Sequence, residues 1–251
     1  MRKKKIVVLG DSTSMLRPSE NVPYSYTSNY LLSLDDNIVI DRSIRAATTE
    51  NFVVPGTEED FYDYDSSFFV LQVGICDCSR RVFKKYEKAL LHFMNNLPIL
   101  WRVSTKISNY VREKRYLFTK LRQIQNVPLE NYKININKII DNILKKNPNL
   151  EKIIIVNILS PGPLMLKKSY KILDNVRDYN LFLSSLPNNN NKVHILDLYS
   201  FTKDNPQYVL KDGHHFTKEV HCFIYSQISR LIKKSTVTTS TSSNEEYVVP
   251  V

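Results

Sequence analysis

The sequence predicts an α/β domain: a central parallel sheet of about five strands with helices on both faces. Three observations carry this. Five short runs are apolar nearly throughout instead of alternating, as strands buried on both faces are. Helical patterns lie between and after them. The 251 residues, 42% of them hydrophobic, suit one domain with a sizeable core. Strands alternating with helices imply right-handed crossovers, with function sought at the carboxyl ends of the strands.

The runs are Lys5–Leu9, Asn37–Ile40, Phe68–Val73, Lys152–Asn157 and Lys192–Leu198, rich in Ile, Val and Phe. Val82–Leu97 sets Val82, Tyr86, Ala89, Leu90, Phe93 and Leu97 on one helical face and stops at Pro98. Asn135–Lys146 repeats Ile136, Ile139, Ile140, Ile143 and Leu144 and ends before Pro148. Ser169–Leu183 and Thr217–Ile232 read the same way. These helices are expected to cover the sheet.

The stretch 99–130 does not fit the alternation. It is rich in aromatic and basic residues, among them Trp101, Arg102, Tyr110, Arg115 and Tyr116. It is expected to be a helical insertion or cap, since long insertions in compact folds tend to be functional. The domain is thus expected over 1–234, with 235–251 a disordered Ser/Thr-rich tail.

The net charge is +10. It favours acidic partners or substrates, although the lysines form no long block. No helix-turn-helix, zinc-finger or RRM pattern points to nucleic acid. No run approaches the ~20 apolar residues of a membrane span. Cys76, Cys78 and Cys222 are odd in number and lack zinc spacing, so they read as reduced thiols. The expectation is a cytoplasmic, soluble protein.

Two loops carry chemistry. Gly10-Asp11-Ser12 directly follows the first strand. Asp212-Gly213-His214-His215 directly precedes the last helix. A serine hydroxyl is a poor nucleophile until a base removes its proton, and a carboxylate three residues before a histidine can orient that base. Each loop alone is an ordinary polar turn. Together, in a sheet that brings both to one edge, they suggest a relay.

This pairing resembles the SGNH/GDSL hydrolases. The resemblance implies a three-layer, flavodoxin-like α/β/α fold, Ser12 as nucleophile, and Asp212 and His215 as its partners. It also implies an oxyanion hole from the Ser12 N–H, a second-block glycine and a third-block Gly-x-Asn-Asp. Here the second block offers Ala46, with Ala47 the alternative, where glycine is expected. The third block reads Gly74-Ile75-Cys76-Asp77, so Cys76 replaces the asparagine and offers only a weak donor. Cys76 is also a rival nucleophile if His215 lowers its pKa. Asp11, Asp77 and Arg81 are expected to line the substrate site. The activity implied is ester hydrolysis through an acyl-enzyme, with an O-acetyl group on a carbohydrate as one substrate class and no metal or organic cofactor. A sugar O-acetyltransferase with the same triad and a glycan-binding protein of little turnover are the alternatives.

Overall fold

The computed structural model describes residues 3–17, 22 and 27–241. Its strands are β1 (Lys5–Gly10), β2 (Ile38–Asp41), β3 (Phe68–Gln72), β4 (Arg80–Arg81), β5 (Ile124–Gln125), β6 (Lys152–Val156) and β7 (Val193–Leu196). Its α-helices are α1 (Ser28–Leu34), α2 (Glu58–Tyr62), α3 (Ile75–Cys78), α4 (Lys85–Asn95), α5 (Trp101–Glu113) and α6 (Arg115–Arg122). They continue with α7 (Leu129–Lys146), α8 (Pro163–Lys168), α9 (Ile172–Ser185), α10 (Leu198–Asp204) and α11 (Lys218–Thr241).

The central sheet has the order β2-β1-β3-β6-β7, with every pairing parallel. All five expected strands are present, each within a residue or two at its ends. Lys192–Leu198 is shortened at both ends, since Leu198 opens α10. Ile6–Leu9, Phe68–Leu71 and Ile153–Val156 are almost fully buried. Each such side chain contributes about 1.5–3 kcal/mol relative to exposure. Helices α1 and α11 pack together in one layer, while α7 packs with α2 and α9 in the other. The strand order reverses direction between β1 and β3, which opens a crevice at their carboxyl ends.

Helix α4 departs from expectation. Its apolar stripe does not cover the sheet: Tyr86, Leu90 and Phe93 are exposed. Helix α4 packs instead against α5. The periodicity correctly reports an apolar face but not what covers it. The departure from the α/β alternation also starts earlier than residue 99. Ribbon β4–β5 pairs Arg80 with Gln125 and Arg81 with Ile124, so it clips together the base of an excursion that carries α4, α5 and α6. Helix α7 begins at Leu129, behind Pro128, and belongs to the body. Helix α11 runs past residue 234 to Thr241, into the stretch expected to be disordered, and 242–251 lie outside the described residues.

Candidate active site

Ser12 follows β1, and His215 lies in the loop before α11. They are 203 residues apart in sequence, yet Ser12 Oγ lies 2.9 Å from His215 Nε2. His215 Nδ1 lies 2.6 Å from Asp212 Oδ2. Asp212 Oδ1 accepts the backbone N–H groups of His214 (3.1 Å) and His215 (3.0 Å). Gly213 makes this turn feasible. Its φ is +86°, and a Cβ there would come within 2.7 Å of the Met165 backbone nitrogen. Burial alone would raise the Asp212 pKa, but the His215 hydrogen bond and the two backbone donors hold it well below the usual carboxylate range.

Arg17 joins this group from outside both motifs. Its Nη1 donates to His215 Nε2 at 2.9 Å, and its Nη2 lies 3.9 Å from Asp212 Oδ2. A guanidinium can only donate, so Nε2 must present its lone pair and the imidazole proton sits on Nδ1, facing Asp212. That is the tautomer a general base needs. Nothing in the sequence marks Arg17, because its partners are nearly two hundred residues away. Asp212, His214 and His215 also bring ligand atoms within 4.8 Å of one another, which makes them a metal-compatible grouping among the described residues. Asp212 Oδ2 and His215 Nδ1 already engage each other. Burial, and then the neighbouring His215, hold the His214 pKa below its ordinary value.

The oxyanion candidates divide. Ala46 has φ +57°, the left-handed region that glycine favours, and it is exposed. Ala47 is buried in the core. Ala46 is therefore the residue with the backbone of the expected glycine. Its loop is tied to the Ser12 loop by the Ile44 N–H on Gly10 O (2.9 Å) and by Ser14 Oγ, 2.7 Å from Ser43 Oγ. Gly74 serves geometry. It is the N-cap of α3 at φ +134°, and a Cβ would meet Ile158 at 2.6 Å. Cys76 is buried, and burial first, then the Asp11 charge, pushes its thiol up to about 12. It is thus a neutral thiol and no rival nucleophile.

Asp11 and Asp77 were expected to touch substrate, and here the structure corrects the sequence. Both are fully buried, and each holds a loop. Asp11 Oδ1 accepts from Thr13 N (2.8 Å) and Thr13 Oγ1 (2.7 Å), while Gln72 Nε2 on β3 donates to the same hydroxyl at 3.0 Å. Asp77 Oδ1 accepts from Thr49 N (2.8 Å) and Thr49 Oγ1 (2.7 Å), joining the second-block loop to α3. Burial raises Asp11 to about 6 and Asp77 to about 7, against those hydrogen bonds. Arg81 Nη2 donates to Cys76 O at 3.4 Å, which sets its guanidinium beside the Cys76 side chain, where its charge opposes the rise of the thiol pKa. Arg115 lies near Arg81, and its pKa is lowered by burial and by that neighbouring charge. The Nε atoms of both arginines are buried and unpartnered.

Solved structures resemble most of the chain. A lipase/acylhydrolase from Enterococcus faecalis matches with a TM-score of 0.59 at 15% identity, over 92% of this chain and 96% of the other. A G-D-S-L lipolytic family member from Veillonella parvula gives 0.58 at 12% identity, over 91% and 98%. The fold is that of the SGNH/GDSL hydrolases. A catalytic mutant of an acetylxylan esterase from Geobacillus stearothermophilus gives 0.55 at 14% identity, over 90% and 93%. No family model matches the sequence, and no curated protein does. On this fold, Ser12 and Gly74 end the two strands that flank the crevice, and the loop before α11 brings His215 to the same edge.

Proposed function

We propose that the chain is a serine ester hydrolase. The observation that carries this reading is the continuous chain from Ser12 Oγ through the His215 ring to Asp212, at 2.9 and 2.6 Å. Ser12 Oγ attacks the ester carbonyl carbon as its proton passes to His215 Nε2. The ester C–O bond then breaks, His215 returns the proton to the leaving alcohol oxygen, and the acyl group stays on Ser12. Water, deprotonated by the same nitrogen, releases the acid and restores Ser12. The Asp212 carboxylate stabilises the imidazolium in both halves.

The oxyanion is held by the N–H groups of Ser12 and Ala46. Neither donates a hydrogen bond within the described residues. The neutral Cys76 thiol gives little, and losing one such donor costs about 10²–10³ in rate. Arg81, whose Nη2 reaches the Cys76 carbonyl at 3.4 Å, is the residue we assign to the gap. Arg17 lies on His215, Arg81 on the Cys76 carbonyl and Arg115 beside Arg81, and these cations favour an ester whose acyl or alcohol part is anionic, such as an O-acetylated acidic sugar. Transfer to a sugar hydroxyl uses the same acyl-enzyme with a different acceptor.

The test is turnover of p-nitrophenyl acetate by the purified chain. We expect Ser12→Ala to abolish it with the fold intact by circular dichroism. Undiminished turnover in that variant refutes the reading. Adding a sugar acceptor and measuring acetyl transfer against hydrolysis separates transferase from hydrolase.

A further inference from the structure

We propose that the excursion carrying α4, α5 and α6 is an interfacial surface that seats the protein on an anionic lipid bilayer. Two independent observations meet there.

The first is exposed apolar side chains at helical spacing. Tyr86, Leu90 and Phe93 of α4, at i, i+4 and i+7, are 66%, 57% and 60% exposed. Val103, Ile107 and Tyr110 form the matching stripe on α5 and are also exposed. Ile99 and Trp101, at the turn between the two helices, are 85% and 46% exposed. Folded proteins seldom leave apolar stripes open on two neighbouring helices unless something covers them. Among the described residues nothing does.

The second is charge. Between residues 84 and 122 stand ten Lys or Arg and two Glu, so this stretch carries a net +8 of the chain's +10. One of the two acids, Glu87, is already held by Arg122. A basic polar face beside an apolar face with Trp, Phe and Leu is the pattern of a helix lying in the headgroup plane of an anionic membrane. Tyr and Trp suit that depth, with the ring in the acyl boundary and the polar tip in the headgroups. The charge argues against a second copy as the cover, since two such faces would set like charges against each other. No helix among the described residues is long and apolar enough to cross a membrane, so the surface lies on the bilayer.

Trp101 is the single tryptophan of the chain, so the patch carries its own reporter. The experiment mixes the full chain with vesicles of phosphatidylcholine alone or of equimolar phosphatidylcholine and phosphatidylglycerol. Flotation and Trp101 emission are read together. We expect co-flotation and a blue shift with the anionic vesicles only, both lost at high salt. Arg102→Glu with Lys106→Glu should weaken binding at least tenfold, since each basic residue near the surface contributes about a fivefold factor. Phe93→Ser with Ile107→Ser should do the same. Leu181→Ser, more exposed than either but on α9, should leave it unchanged. Ser12→Ala should bind like the parent, which separates this inference from the hydrolase reading. It is overturned by absence of flotation, by equal binding to neutral vesicles, or by a vesicle-independent blue shift that tracks protein dimerisation.

Discussion

Replacing Arg17 by alanine tests the least expected contact of the site. Arg17 Nη1 sits 2.9 Å from the same His215 nitrogen that Ser12 Oγ reaches at 2.9 Å. One lone pair cannot fully serve both donors, and the reactive arrangement is the one in which Ser12 holds it. On the proposed mechanism, Arg17 withdraws before His215 takes the serine proton. A charge-assisted hydrogen bond contributes about 1.5–3 kcal/mol when shielded. The Arg17 side chain keeps about a fifth of its surface exposed and Asp212 about a third, so solvent screening brings this nearer 1 kcal/mol. Every 1.4 kcal/mol is tenfold in rate. Arg17→Ala should thus raise kcat/KM on an uncharged ester such as p-nitrophenyl acetate by about three- to tenfold. On an ester bearing a carboxylate the same variant should be slower, because there the substrate draws Arg17 away from His215 and is held by it. The assay is the paired kcat/KM on the two esters. A loss of more than tenfold on the neutral ester would show that Arg17 holds the triad together and would refute the gating argument.

Four further outcomes are expected. Cys76→Asn places an amide donor beside the proposed oxyanion hole and should raise kcat on small esters by about tenfold or more, read by steady-state kinetics. Ala46→Gly relieves a left-handed backbone and should stabilise the fold by about 1 kcal/mol in denaturant unfolding, with turnover kept. Gly74→Ala forces a Cβ onto Ile158 at a positive φ and should destabilise by 2 kcal/mol or more. Asp11 and Asp77 titrate in the fold at about 6 and about 7, above their unfolded values, so the folded state holds extra protons between about pH 4 and pH 7. Their contribution is full below that window and is lost as pH rises through it, by a few kcal/mol for each. Asp77→Asn keeps an acceptor for Thr49 and should flatten the slope of unfolding free energy against pH.

The sheet was legible because parallel strands buried on both faces leave unbroken runs such as Ile6–Leu9 and Ile153–Val156. Ser12, Asp212 and His215 were legible because each stands in a short polar motif at a strand end or helix start. The excursion's true limits were not, because its base is the two-residue ribbon Arg80–Arg81 with Ile124–Gln125, too short to leave any periodicity. The α4 stripe was read as sheet-facing because an amphipathic pattern is the same whether a sheet or a lipid surface lies opposite it. Asp11 and Asp77 were placed at the substrate because a sequence gives a carboxylate's neighbours along the chain, not the threonines that fold over it. Arg17 had no local signal at all, and Arg115 stood out only as one of the basic residues of 99–130.

The account turns on whether Ser12 is an activated nucleophile. Exposure of the purified chain to a fluorophosphonate probe, followed by intact mass and peptide mapping, measures that directly. We expect one adduct, on Ser12, that disappears in His215→Ala while the variant remains folded. A folded chain that takes no label, or takes it equally without His215, would contradict the account and leave the site as one that binds without turnover.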